Sequence, residues 1–358
     1  MVENKYSLKY KHLDQTAEKR RILYNDPKLS RLFLELTLRC NEYCYHCGSR
    51  CGEMKSEELS PEQYRFFLEK VKKDFDIDNI LLCITGGEPL IRKDFFEIMT
   101  CANELGYRWG MTSNATLVND EVAEKLARAG MRTISVSIDG LEETHDRLRG
   151  LQGAYVKAMN GIQALIDNGS FNHIQITTIV NKSNINELPD LFEILKEMDI
   201  DSWRIGSVEP IGRALDHPEE MLSPSDYRYI FNYIREKRRQ GFPVEYGCNH
   251  YVGVEFEREI RNWYFRCGAG TFVASIMVNG DIGACLDVER RPETIQGNIL
   301  TDDFTDVWYN RFKIFRQDLS KIDRKCENCE NAKYCAGGSF HSFDLDNNRQ
   351  RVCLKGII

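Results

Sequence analysis

Leu34-Glu35-Leu36-Thr37-Leu38-Arg39-Cys40-Asn41-Glu42-Tyr43-Cys44-Tyr45-His46-Cys47-Gly48-Ser49-Arg50-Cys51-Gly52 is the stretch on which the reading of this chain turns. An apolar strand runs straight into a loop that carries three thiols at C-x3-C-x2-C spacing. Three close thiolates are too few to close a four-coordinate zinc site. They can hold three irons of a 4Fe–4S cube and leave the fourth iron open to a ligand. A zinc knuckle or a group of buried free thiols is the competing reading of the spacing.

Outward from this loop the chain alternates strand and helix. Apolar, β-branched runs fall at 31–38, 79–85, 107–113, 132–138, 173–180 and 202–208. Helical patterns separate them at 61–73 after the cap Ser60, 94–105, 119–129, 154–167 and 187–198, and a further one at 224–239 follows the cap Ser223. Six βα units in series make a parallel sheet, and curling it gives an α/β fold, a partial (β/α)6 TIM-like barrel. Sites in such barrels lie at the C-terminal ends of the strands, which is where the cysteine loop falls. The alternation divides the chain into a polar N-terminal extension (1–30), the barrel (31–240) and a short, aromatic, cysteine-rich remainder (241–358). In that remainder Asn279-Gly280 suits a two-residue hairpin turn, 308–319 reads as a helix, and the loops around Cys326, Cys329, Cys335 and Cys353 are too poor in apolar pattern to fold well without metal.

With 358 residues, 42% hydrophobic and 29% charged, the chain is ample for a full core and reads as an ordinary globular protein. A net charge of −7 argues against nucleic acid as the main partner. The polar start and the lack of a long apolar run argue against export and against a membrane span, so the expected location is cytoplasmic. Thirteen cysteines in a reducing compartment point to metal rather than disulfides.

Four more segments carry chemistry. The second strand ends in Thr85-Gly86-Gly87-Glu88-Pro89, where two glycines let a ligand lie against bare backbone. The third ends in Thr112-Ser113-Asn114-Ala115-Thr116. The fourth gives Ser135-Val136-Ser137-Ile138-Asp139-Gly140, followed by His145-Asp146-Arg147-Leu148-Arg149-Gly150. Near the C-terminus Cys267, Gly280 and Cys285 form C-x12-G-x4-C, and Cys326-x2-Cys329-x5-Cys335 precedes Cys353. Four such thiols suit either a fully ligated 4Fe–4S cluster or a structural zinc.

The triad Cys40, Cys44 and Cys47, with the aromatic His46 before the last cysteine, resembles the signature of the radical S-adenosylmethionine (SAM) enzymes. The resemblance implies that the cluster's open iron chelates SAM. It also implies that an electron from the cluster cleaves SAM to a 5′-deoxyadenosyl radical, which takes hydrogen from an unactivated C–H bond. Gly86, Gly87 and Glu88 resemble the family's G-G-E-P contact to the SAM amino group. Ser113, Asn114, Ser137, Asp139 and Arg149 resemble its ribose- and carboxylate-binding segments. Cys51 should then be non-ligating, since a fourth thiolate on the cube would block SAM. The C-terminal pattern is similar to the SPASM domain, which implies one or two auxiliary 4Fe–4S clusters. Cys326, Cys329, Cys335 and Cys353 would fill one. The other would keep Cys267 and Cys285 but loses an expected thiolate to Ser339, for which Cys248, His250, Ser339 itself or a substrate thiol could substitute.

What the resemblance implies for function is a peptide maturase acting on a peptide or protein substrate, through a crosslink, thioether, epimerisation or excision. A reductant such as flavodoxin or ferredoxin is implied. With only about thirty residues ahead of the barrel, leader recognition is expected from a separate leader-binding protein or from the barrel surface. A sulfatase-maturing, formylglycine-forming activity is the alternative, as is a non-catalytic metal-binding scaffold. In sulfatase-maturing relatives an aspartate directly follows the hairpin cysteine. There it serves as general base, and Asp287 is the candidate for that catalytic role here, although it stands one residue later, on what strand alternation makes the opposite face unless a bulge restores it. Cys83 and Cys101 read as small core residues.

Overall fold

The computed structural model describes residues 2–53, 56–247 and 249–357. A long first helix, α1 (Val2–Asn25), leads into the alternating units β1 (Arg31–Glu35), α2 (Pro61–Asp74), β2 (Leu81–Thr85), α3 (Phe95–Glu104), β3 (Arg108–Ser113), α4 (Asp120–Arg128) and β4 (Met131–Ser137). Two helices, α5 (Glu142–Arg149) and α6 (Ala154–Asn168), precede β5 (His173–Val180). Then follow α7 (Leu188–Leu195), β6 (Ser202–Ser207) and α8 (Pro224–Arg239). The starts are set locally: Ser60 and Ser223 form capping boxes with Gln63 and Asp226, and each is followed by a proline in the first turn.

Strands β1 to β6 are parallel neighbours in chain order, so the α/β partial barrel expected from the alternation is present. The sheet does not stop at 240. A short β7 (Val244–Tyr246) adds in parallel beyond β6, and β8 (Val273–Ile276) adds in parallel beside β1. Then β9 (Asp281–Gly283) and β10 (Gly297–Asn298) continue antiparallel, giving one ten-stranded sheet. The cysteine-rich region is therefore hydrogen-bonded to the barrel's first strand. The hairpin between β8 and β9 turns through four residues rather than two, closed by Gly280 N–H donating to Met277 O at 2.9 Å. The expected helix at 308–319 is instead a series of short helical turns, Val307–Arg311 and Phe312–Phe315.

Alternation along the strands separates a dry face from a hollow one. Leu32, Leu34, Leu82, Ile84, Trp109, Ile134, Val136 and Ile176 are buried beneath the helices. Their neighbours Phe33, Cys83, Thr133, Ser135, Ser137 and Thr177 are only half-buried, because they face an open lumen. Cys83 is thus not a core residue but part of the lumen wall, whereas Cys101 is buried in α3 as expected.

Helix α1 ties the ends of the chain together. Arg20 donates to the carbonyls of Tyr334 and Lys333 at 2.9 and 2.7 Å, and Leu13 packs with Tyr251 and Phe265. Among the described residues no helix is long and apolar enough to cross a membrane.

Candidate active site

The loop after β1 lies across the C-terminal ends of the strands and is held by backbone bonds on three sides. Tyr43 and Tyr45 N–H donate to Arg149 and Leu148 carbonyls at 2.8 and 3.0 Å, and Gly87 and Glu88 N–H donate to Thr37 and Arg39 carbonyls at 2.7 and 3.0 Å. This contact explains the glycine pair differently from the sequence reading. A Cβ on Gly86 would lie 2.4 Å from Thr37 O, and one on Gly87 would lie 2.0 Å from Arg39 O. The glycines are needed first for loop-against-loop packing, and only their remaining edges line the cavity.

The third side is Arg213, a residue the sequence reading did not single out. Its guanidinium donates to the carbonyls of Cys44 and Cys51, both at 2.7 Å, reaches Glu53 at 2.8 Å and lies 3.5 Å over the Tyr43 ring. Its backbone N–H donates to Cys47 O at 3.0 Å. No motif marks it, because it follows β6 far along the chain and meets the cysteine loop only in the fold.

Cys40, Cys44 and Cys47 line a cavity of about 320 Å³ together with His46, Gly86, Gly87, Ser113, Asn114, Ser137 and Arg149. Burial pushes the Cys40 thiol up to about 11 and Cys44 up as well. Cys47 is drawn down to about 6, first by the Cys51 thiol and also by the Cys51 N–H that donates to its sulfur at 3.3 Å. The Cys51 thiol itself is buried 3.6 Å from Gly86 O.

Two residues expected at the cofactor do not line this cavity. Glu88 is fully buried, and its carboxylate accepts from Ser113 Oγ at 3.0 Å, Asn114 N at 2.9 Å and Leu90 N at 3.1 Å. Burial raises its pKa to about 7. It therefore braces the Ser113–Asn114 strand end. Asp139 is likewise fully buried, accepting from Ile179 N at 2.8 Å and lying 2.6 Å from Arg149 Nη2 and 3.2 Å from His46 Nε2. Burial alone would raise its pKa, but Arg149 and His46 hold it well below the usual range. Arg149 is thus clamped from behind by Asp139, with Glu42 at 3.5 Å.

Glu42 Oε1, His46 Nδ1 and Arg149 Nε are buried without a hydrogen-bond partner. Unsatisfied buried polar atoms are costly, and here they belong to residues that line the cavity with three thiols. That donor set fits an iron–sulfur cluster with a polar, zwitterionic ligand beside it. No three His, Cys, Asp or Glu side chains among the described residues are grouped to hold a single metal ion.

The opposite wall comes from β6 and the hairpin. Glu209 is buried, with Oε1 accepting from His250 Nε2 at 2.7 Å, Asn249 Nδ2 at 2.9 Å and Ser207 Oγ at 3.2 Å, while Oε2 has no partner. Burial raises its pKa, but His250 overcomes this and keeps it below the ordinary value. Asp287 lines the same cavity. The alternation argument against it does not hold here, because β9 ends at Gly283 and a turn closed by Val288 N–H to Cys285 O follows. That turn brings Asp287 Oδ2 to 3.9 Å from Cys285 Sγ.

Cys326, Cys329, Cys335 and Cys353 all line one small cavity of about 40 Å³. Burial, then the neighbouring thiols, push Cys335 up to about 12. Thiols that burial and one another hold in the neutral form suit a bound iron–sulfur cluster, whose positive charge would let them ionise together. Cys267 and Cys285 line a larger lumen of about 710 Å³ with Ser339 and His341. Ser339 Oγ is buried without a partner, and Phe340 N–H donates to Cys267 Sγ at 3.5 Å. His250 is bonded to Glu209 and faces the four-thiol cavity, so it does not join Cys267 and Cys285; Cys248 lies outside the described residues. The lumen and the cavity of the cysteine loop meet at Thr112 and His341, which line both.

Comparison with known proteins agrees with this arrangement. Residues 34–195 match the radical SAM superfamily, and residues 267–330 match the SPASM iron–sulfur cluster-binding domain. The chain is 32% identical to an AdoMet-dependent heme synthase of Methanosarcina barkeri, covering 87% of this chain and 91% of the relative. It is 29% identical to the mycofactocin maturase MftC of Mycolicibacterium smegmatis, covering 85% and 76%. Among solved structures, Streptococcus suis SuiB bound to S-adenosylmethionine has the same fold, with a TM-score of 0.73 at 20% identity, covering 92% of this chain and 77% of that one.

Proposed function

Because the chain belongs to the radical SAM superfamily and carries a SPASM iron–sulfur domain, we propose that it is a radical SAM peptide maturase working on a substrate held in the barrel lumen. When bound, the cluster and SAM supply a one-electron cleavage of the sulfonium that ends in hydrogen abstraction from an unactivated C–H bond. Cys40, Cys44 and Cys47 would hold that cluster, and Arg213 keeps their loop closed. Ser113, Asn114, Ser137, His46 and Arg149 would orient SAM, with Glu88 and Asp139 bracing them from behind. Cys326, Cys329, Cys335 and Cys353 would hold one auxiliary cluster, and Cys267 with Cys285 a second. Asp287 and Glu209, which line the cysteine-loop cavity, would take a proton from the substrate. A reductant of the flavodoxin or ferredoxin type and a cytoplasmic setting belong to the same proposal.

The observation that carries the reading is the meeting of the cysteine-loop cavity with the lumen at Thr112 and His341. The lumen wall there offers hydroxyls, Thr112, Thr133 and Ser135, that suit a peptide backbone. The naming of MftC as a maturase supports a peptide substrate. Anaerobic incubation of reconstituted enzyme with SAM, reductant and precursor peptides from the neighbouring genome should give 5′-deoxyadenosine together with a mass change in one peptide. Deoxyadenosine with every peptide unchanged would remove the maturase reading.

A second reading is action on a tetrapyrrole. It is favoured by the 32% identity to a heme synthase, of which the chain covers nearly the whole length. Formation of heme from an iron-porphyrin in the same assay would select it.

A further inference from the structure

The lumen does not end at the reacting junction. It runs down to the N-terminal ends of the strands, where Arg31 opens β1, His173 opens β5, and Arg204 and Glu245 face each other on β6 and β7. Outside this mouth a recess of about 550 Å³ continues along α1, sharing Lys19, Arg31 and Arg266 with the lumen.

The charge here is opposite to that of the whole. In a chain of net charge −7, the lumen and recess are lined by Lys19, Lys28, Arg31, Arg204 and Arg266, against Glu245 as their one carboxylate. Glu245 lies 3.7 Å from Arg204, and Lys28 is taken by Asp26 at 2.8 Å. Lys19, Arg31 and Arg266 make no ion pair or side-chain hydrogen bond among the described residues. Arg266 is half-buried over the Phe272 ring at 4.7 Å, and burial, with Arg20 nearby, lowers its pKa. The field reaches inward: burial pushes the Cys83 thiol up to about 11, while Arg31 and Arg204 pull against it. Lys19 and Arg31 stand exposed at the rim, whereas Arg266 is the cation partly removed from water, a state that is unfavourable unless an anion meets it.

We propose that this mouth is the substrate port, and that it selects a substrate bearing two or more carboxylates, held by Arg31, Arg204 and Arg266 while its reacting end extends up the lumen to Thr112. This rests on the reading of the lumen as the substrate site. Register gives the reach. Arg31 pairs with Leu81 and Leu81 with Arg108, so Thr112 stands four residue steps above the mouth, or roughly 13 Å at about 3.3 Å per residue. The carboxylates could be acidic side chains of a peptide or the side chains of a tetrapyrrole. The recognition chemistry is the same, bidentate guanidinium to carboxylate.

The test uses anaerobically reconstituted full-length enzyme and two probe pairs: coproporphyrin III against its tetramethyl ester, and a fluorescent octapeptide with four glutamates against the same peptide with four glutamines. At least one acidic probe should bind more tightly than its neutral partner. Its Kd should weaken about tenfold in Arg266→Gln, the loss expected for one charge-assisted contact, and about a hundredfold in Arg31→Gln/Arg204→Gln, which removes two, and should weaken further with added salt. Glu245→Gln should instead tighten binding, a gain that misfolding cannot imitate. Which acid binds identifies the source of the carboxylates. If neither acidic probe is preferred, or the arginine variants bind it as wild type does, the port is overturned. Deoxyadenosine measured in the same samples reads the radical chemistry separately. Deoxyadenosine without acid-dependent binding removes the port and leaves the enzyme reading, while acid-dependent binding without deoxyadenosine does the reverse.

Discussion

Arg213→Met removes a guanidinium while keeping an apolar stem of similar length, so it isolates the bonds that close the cysteine loop. Two of those bonds, to the Cys44 and Cys51 carbonyls at 2.7 Å, are charge-assisted. Each is worth about 1.5–3 kcal/mol, and water entering the vacated space recovers part of the sum, leaving about 3 kcal/mol. The pair with Glu53 adds little, since that carboxylate is partly exposed. A loss of about 3 kcal/mol lowers the closed-loop population about a hundredfold relative to open forms. Cluster loss to a chelator proceeds from the open loop, so the first cluster should leave about a hundredfold faster while the C-terminal iron stays at wild-type rate. The assay is iron release against time under anaerobic chelation, with absorbance near 400 nm as the cluster signal. First-cluster release within about twofold of wild type would refute the claim that Arg213 holds the loop, on the same arithmetic.

Three further outcomes follow from particular contacts. Glu88 has a folded pKa raised to about 7 by burial, so its stabilising, protonated state is fully present below the unfolded value of about 4.3 and is lost as pH rises through about 7; thermal stability should fall across that window in wild type and stay flatter in Glu88→Gln, and parallel profiles would show that Glu88 does not titrate there. Asp287→Asn should lower substrate turnover about a hundredfold or more, the usual worth of a positioned base, while deoxyadenosine formation persists; unchanged turnover would take Asp287 out of the chemistry. Cys267→Ala/Cys285→Ala should lose about four irons from a wild-type content of about twelve, and equal iron in both proteins would assign these two thiols to packing.

Much of the fold was legible because its signals are local. The βα alternation, the caps at Ser60 and Ser223, and the thiol spacings at Cys40–Cys47 and Cys326–Cys335 each need only a few neighbouring residues. The features that sequence alone left incomplete depend on distant partners. Cys83 sits at an alternating strand position that looks the same in sequence whether it faces a packed core or a hollow lumen. The glycines Gly86 and Gly87 match a ligand-contact motif, yet the atoms that require them belong to Thr37 and Arg39 across the loop. Asp287 was displaced on paper by strand alternation, and a turn after Gly283 cancels the offset. Arg213, Glu209 and the cations of the lower mouth carry no motif at all, since each gains its meaning from an element far away in the chain.

The most direct test of the central claim compares wild type with a Cys40→Ala/Cys44→Ala/Cys47→Ala variant after anaerobic reconstitution, measuring iron and 5′-deoxyadenosine produced from SAM under reductant. The account predicts that the variant loses about four irons and all deoxyadenosine while keeping the iron of its C-terminal thiols. Wild-type enzyme that binds iron but never cleaves SAM, or a variant that still cleaves it, would contradict the account.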